Sequence, residues 1–111
     1  MKMDVINIEN GITKVVLTGS FNIQGSWDVE PKFIALVRAT HKVIVDLTDV
    51  HFMSSVGMRT LVLTAKSLSE KGGKLVLASP QAEVEQVLKT VGLDTIISIV
   101  PDESAAIALF R

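Results

Sequence analysis

Val43-Ile44-Val45-Asp46-Leu47, followed after a polar break by Phe52-Met53-Ser54-Ser55-Val56-Gly57-Met58-Arg59, is the stretch that decides the fold. A short, β-branched apolar run is the pattern of a strand buried on both faces, and such strands occur in parallel sheets covered by helices. Beyond it, Met58, Leu61, Val62, Ala65 and Leu68 mark one face of a helix that ends at the stop signal Gly72-Gly73. The segment therefore predicts a strand over Lys42 to Leu47 that delivers two adjacent serines to the start of a helix. First-turn amides of a helix lack backbone acceptors and the macrodipole is positive there. A serine at that point either caps the helix or carries a phosphate.

Toward the N-terminus, Val5 to Glu9 and Ile12 to Thr18 are β-branched segments joined by Asn10-Gly11, a pair suited to the positive φ angles of a tight hairpin. They predict an antiparallel opening pair. Gly19 to Asp28 has the composition of a loop, and Phe33, Leu36 and Val37 then recur at helical spacing. A first helix over Val29 to Thr40 follows, with Pro31 tolerable in its first turn. Toward the C-terminus, Lys74 to Ala78 is a strand closed by Ser79-Pro80. Val84, Val87, Leu88 and Val91 form the apolar face of a surface helix opposite Glu83, Glu85, Gln86 and Lys89. Gly92 ends that helix, Ile96 to Val100 is a last strand, and Pro101-Asp102-Glu103 opens a short final helix with an acidic first turn. Repeated strand-helix-strand units force parallel pairing with right-handed crossovers. The pattern predicts an α/β fold with a mixed, mainly parallel sheet of about five strands and about four helices, the opening hairpin strand at an edge, and residues 1–111 in one domain.

Composition narrows the function classes. The 111 residues suffice to bury a core without staples. Hydrophobic residues make up 48% of the chain, but their unbroken runs are only a few residues long, which argues against direct membrane insertion. Eleven basic and twelve acidic residues are spread along the chain to a net charge of −1, so no nucleic-acid footprint is present and a purely electrostatic partner surface is not expected. The absence of cysteine excludes disulfide and thiolate chemistry. Met1-Lys2-Met3-Asp4 lacks the apolar core of a signal peptide, so the expected location is cytoplasmic. His41 and His51 flank the central strand without the spacing of a metal site, and no catalytic role is assigned to them. With no phosphate-binding glycine loop carrying a lysine, no nucleophile elbow and no base beside Ser55, the chain is not expected to be an enzyme or to hold a cofactor.

Several pieces, in their order and spacing, resemble the STAS domain of the stand-alone anti-sigma factor antagonist type, a bacterial family. They are Gly19-Ser20-Phe21-Asn22, the Val43 to Leu47 strand, Phe52 to Arg59, Gly72-Gly73-Lys74-Leu75-Val76-Leu77, Val87-Leu88 ending in Val91-Gly92-Leu93, and Asp102-Glu103. The resemblance implies a phosphoacceptor serine one residue before a small residue and glycine, here Ser55, with Ser54 as second choice. It implies as partners an anti-sigma factor that is itself a serine kinase of the GHKL type, and a PP2C-type phosphatase. The unphosphorylated form would bind the kinase and the phosphorylated form release it. The family commonly carries aspartate where this chain has Ser54, and Gly-x-Phe/Leu-Asp where it has Gly19-Ser20-Phe21-Asn22. Two carboxylates near the acceptor are thus missing. The alternative is a constitutive STAS interaction subunit, for example of a membrane transport complex, in which both serines are structural.

Loops that follow parallel strands gather on one side of a sheet, which predicts a partner-binding face of Asn22, Trp27, Ser54, Ser55, Val56, Gly57 and Arg59. Gly57 either admits a partner backbone or makes the loop-to-helix turn. Met58 should face the core and Arg59 the solvent. Trp27, the only tryptophan, either anchors an interface from a polar loop or packs over the sheet edge. A phosphate on Ser55 adds roughly −1.5 to −2 charge that helix amides can hold with little change of fold. Burying that charge beneath an acidic or apolar partner is costly, so the switch can be local.

Overall fold

The computed structural model describes residues 1–111. In chain order the elements are β1 Lys2–Asn7, β2 Ile12–Phe21, α1 Ile23–Ala39, β3 Lys42–Met53, α2 Ser55–Glu70, β4 Lys74–Ala78, α3 Ala82–Thr90, β5 Ser98–Val100 and α4 Glu103–Ala108, with 3-10 turns at Glu9–Gly11 and Leu93–Thr95. The strands lie in the order β1-β2-β3-β4-β5; β1 pairs antiparallel to β2 and the other neighbours pair parallel. This is the expected α/β architecture with the opening strand at an edge.

The two sheet faces are unequally covered. Val15, Leu17 and Phe21 of β2, Val43, Val45 and Leu47 of β3, and Leu75 and Leu77 of β4 pack against α1, α2 and α3 in one large cluster. The alternate residues Ile12, Ile44, Val76 and Ala78 join Ala106 of α4 in a small one, with partly buried Ile8, Val100, Ile107 and Phe110 packed against it. Where central strands serve both clusters they are apolar at successive positions, which is why Val43 to Val45 of β3 and Leu75 to Ala78 of β4 show no alternation. Lys14, on the α4 side, lies 2.6 Å from Glu103 and 3.7 Å from Asp46. The hydrogen bond to Glu103, aided by the charges of Glu103 and Asp46 and opposed by burial, raises the lysine pKa above its ordinary value.

Several boundaries differ from the sequence expectation. β1 spans Lys2–Asn7 rather than Val5 to Glu9, because the residue it buries is Met3, opposite Leu17. Asn10 and Gly11 do take positive φ, 58° and 73°, but within a 3-10 turn rather than a two-residue hairpin. α1 starts at Ile23, not Val29, so Trp27 is helical and Pro31 sits inside the helix on its exposed side. β3 continues past Leu47 to Met53, which places His51 within the strand rather than beside it. Only Lys42 to Asp46 of β3 pair with β4, and beyond them β3 has β2 alone as neighbour. Thr48, Asp49, His51 and Phe52 there reach solvent, while Leu47, Val50 and Met53 stay buried in the large cluster. In α3 the buried pair is Val84 and Leu88, whereas Val87 and Val91 are exposed. β5 begins at Ser98 because Leu93–Thr95 winds into a turn first.

Candidate functional site

Two strand-to-helix corners meet at one end of the sheet. At the first, Asn22 is the N-cap of α1, its Oδ1 accepting from the Gly25 amide at 2.8 Å. At the second, Ser54 is the N-cap of α2, its Oγ accepting from the Gly57 amide at 3.1 Å. The corners are bonded to each other through the Phe21 carbonyl, which accepts from the Ser54 amide at 2.9 Å and from Ser54 Oγ at 2.7 Å. Gly57 is buried against Phe21, and a Cβ there would stand 2.8 Å from the Phe21 ring and carbonyl. This close packing within the chain accords with the reading of Gly57 as the loop-to-helix turn.

The two serines consequently differ in chemistry. The Ser54 hydroxyl donates to Phe21 and accepts from Gly57, so it acts as the cap and its side chain is half-buried. Ser55 is the first residue of α2 and exposed. The amides of Ser55 and Val56 belong to the first turn and have no intrahelical acceptor. Neither α1 nor α2 carries an acidic residue in its first turn, in contrast to α3 with Glu83 and Glu85 and α4 with Glu103. The positive end of the α2 dipole is left without a neutralising carboxylate.

The remaining predicted residues divide between two flanks of α2. Arg59, exposed, follows Ser55 by one helical turn and shares its flank. Val56, 37% exposed, lies on the flank toward α1, where Thr60 Oγ1 is 3.5 Å from Ser26 Oγ. Trp27 is 69% exposed on the outer side of α1, so it does not pack over the sheet edge. Met58 is buried in the large cluster, as expected. The structure adds Ile23 and Leu63, exposed apolar residues beside Trp27 and Val56 on the same helices. Ile23 was hidden by reading Gly19 to Asp28 as loop; an asparagine followed at the third position by glycine, Asn22 to Gly25, was the available capping signal. Ser20 and His51, joined at 2.8 Å between Oγ and Nε2, occupy neighbouring strand positions of β2 and β3.

A family model for the STAS domain matches residues 5–106. The chain belongs to the STAS domain family. BtrV of Bordetella bronchiseptica, a proposed anti-sigma factor antagonist, is 30% identical over 112 aligned residues that cover 100% of this chain and 96% of that protein. A crystal structure of a proposed anti-sigma factor antagonist from Thermotoga maritima superposes with a TM-score of 0.88 at 26% identity, covering 96% of this chain and 92% of the other. The anti-sigma factor antagonist SpoIIAA shares the fold at 18% identity, with a TM-score of 0.81 for its unphosphorylated form over 99% of this STAS chain and 96% of SpoIIAA. The phosphorylated form from Bacillus gives 0.75 over 99% and 100%. No helix of the chain is long and apolar enough to cross a membrane.

Proposed function

We propose that this STAS protein is an anti-sigma factor antagonist acting by partner switching. With Ser55 unphosphorylated it binds an anti-sigma factor serine kinase of the GHKL type, and phosphorylation of Ser55 releases that kinase. A PP2C-type phosphatase restores the binding form. Ser55 is then a substrate residue rather than a catalytic one, and the exchange takes place in the cytoplasm. The observation that carries this reading is the division of labour between the serines. Ser54 uses its hydroxyl in both directions to hold the corner, while Ser55 presents a free hydroxyl at an uncompensated helix N-terminus. A phosphate there gains the first-turn amides and the dipole without displacing the cap. The kinship with BtrV and the existence of both phosphorylation states for SpoIIAA, each said of those proteins, agree with it. The test is incubation with the cognate kinase and ATP, followed by phosphopeptide mass spectrometry of wild type, Ser55→Ala and Ser54→Ala. Label should vanish in Ser55→Ala; label that persists there and disappears in Ser54→Ala would overturn the assignment.

A further inference from the structure

α1 and α2 leave an open groove of ≈ 420 Å³ between them. Phe33 and Val37 line its depth, Ile34 and Leu63 form its rims at 54% and 45% exposure, and Glu30 and Arg38 bound it along α1. Both threonine hydroxyls within it donate to their own helix, Thr60 Oγ1 to the Val56 carbonyl at 3.2 Å and Thr64 Oγ1 to the Thr60 carbonyl at 2.8 Å, while Ser67 lies at its far end. The wall is thus largely apolar. On α2, Val56 and Leu63 are two turns apart on one flank; on α1, Ile23, Trp27 and Ile34 share a stripe. Of these exposed side chains Ile34 and Leu63 line the groove, and Ile23, Trp27 and Val56 stand on the same stripes nearer the Ser55 corner. Their exposed surface is on the order of a few hundred Å², the size at which such patches mark interaction sites.

Charge specifies what fits. Glu30 and Arg38 are eight positions apart on α1, about 12 Å along its axis. Neither makes an ion pair within the chain. The groove therefore has an acidic end toward the Ser55 corner and a basic end away from it. We propose that it receives an amphipathic helix of the same partner that meets Ser55, a proposal that rests on the phosphoswitch reading of that corner. The helix lays an apolar stripe over Phe33, Ile34, Val37 and Leu63, with a basic residue at the end near Glu30 and an acidic residue two turns on, near Arg38. The far end of the groove, at Ser67, is twelve residues along α2 from Ser55, about 18 Å. That exceeds the Debye length of about 8 Å at physiological salt, so a phosphate on Ser55 lowers the partner's affinity by repulsion at the corner end and is screened from the contacts at the far end of the groove. The groove supplies affinity and partner choice; Ser55 supplies control.

Calorimetry with the purified kinase, comparing wild type, Leu63→Ser, Ile34→Ser, Glu30→Lys and Ser55→Asp, tests this, with Glu85→Lys on α3 as control. Leu63→Ser should weaken binding about tenfold, and by the same factor in the Ser55→Asp background, because sites this far apart act additively. Glu30→Lys should also weaken it. Both Leu63 and Ile34 are about half exposed, so thermal midpoints should fall only slightly and both variants should remain folded. Wild-type affinity in both serine variants overturns the groove while a weakened Ser55→Asp leaves the phosphoswitch standing. Conversely, unchanged Ser55→Asp with weakened Leu63→Ser overturns the phosphoswitch alone. Sedimentation of the protein by itself that shows a dimer lost in Leu63→Ser, or native mass spectrometry that shows a small molecule lost there, assigns the groove to another occupant and overturns the proposal.

Discussion

The two corners at the end of the sheet are built alike and differ in one residue that matters. Each has a polar cap, Asn22 or Ser54, bonded to the amide of a glycine three positions on, Gly25 or Gly57, and each glycine is buried where a Cβ would collide. The residue after the cap is Ile23 in one and Ser55 in the other. Both are exposed, both stand at a helix N-terminus without an acidic first turn, yet only one offers a hydroxyl. The same frame thus holds an apolar anchor on one side and a modifiable group on the other. Helix-start geometry is common to both corners, so the proposed phosphoswitch rests on the free hydroxyl of Ser55 rather than on geometry alone.

The glycines test the shared frame most severely. A Cβ on Gly25 would lie 2.4 Å from the Ser20 carbonyl oxygen, a backbone atom, and one on Gly57 2.8 Å from Phe21. Overpacking of this kind costs about 1–3 kcal/mol, against about 1 kcal/mol of helix propensity regained on adding the methyl. Both alanine variants should lower the urea midpoint, Gly25→Ala the more. A Gly57→Ala protein as stable as wild type would show that the corner yields and that the glycine serves some other need. Next come the caps. Asn22→Ala and Ser54→Ala should each lose about 1 kcal/mol, whereas Ser55→Ala should stay within about 0.5 kcal/mol of wild type. Equal losses for Ser54→Ala and Ser55→Ala would erase the distinction between the serines.

A change remote from both corners sets the lower end of the scale. Lys14 has its pKa raised chiefly by Glu103, so the pair stabilises the fold fully below the ordinary lysine value of 10.5 and ceases to do so as pH rises through the raised folded value. Glu103 is 46% exposed, which limits the contribution to about 1 kcal/mol or less. Lys14→Gln should therefore be slightly less stable than wild type at neutral pH, and the gap should close in strongly alkaline buffer. A gap that widens instead would reverse the sign of the coupling.

The chain order of the elements, the edge position of β1 and the helix faces of α2 were legible because hydrophobic period reports burial directly. The start of α1 was not, because Gln24, Gly25, Ser26 and Asp28 have loop composition. Gly25 and Ser26 depart from helix-forming composition because they are buried where the corners pack and must be small, a constraint set by residues distant in sequence. The end of β3 was obscured for a related reason: the loss of β4 as neighbour after Asp46 removes the burial that makes a strand apolar. Adjacent serines at a helix start were visible at once, but which one caps depends on where the chain turns: the Ser54 hydroxyl accepts from the Gly57 amide while donating to the Phe21 carbonyl on the neighbouring strand. The groove between α1 and α2 depends on helix register from Ile23 onward, so it emerges only with the corrected boundary.

The central claim is that a charge on Ser55 governs partner affinity while the cap at Ser54 keeps the fold constant. It is tested most directly by calorimetric titration of the anti-sigma factor kinase with stoichiometrically phosphorylated and unphosphorylated wild-type protein, with near-identical thermal midpoints confirming that both are folded. Phosphorylation should weaken binding by tenfold or more, about 1.4 kcal/mol per tenfold. Equal affinity of the two forms would contradict the account and leave a docking subunit whose serines are structural.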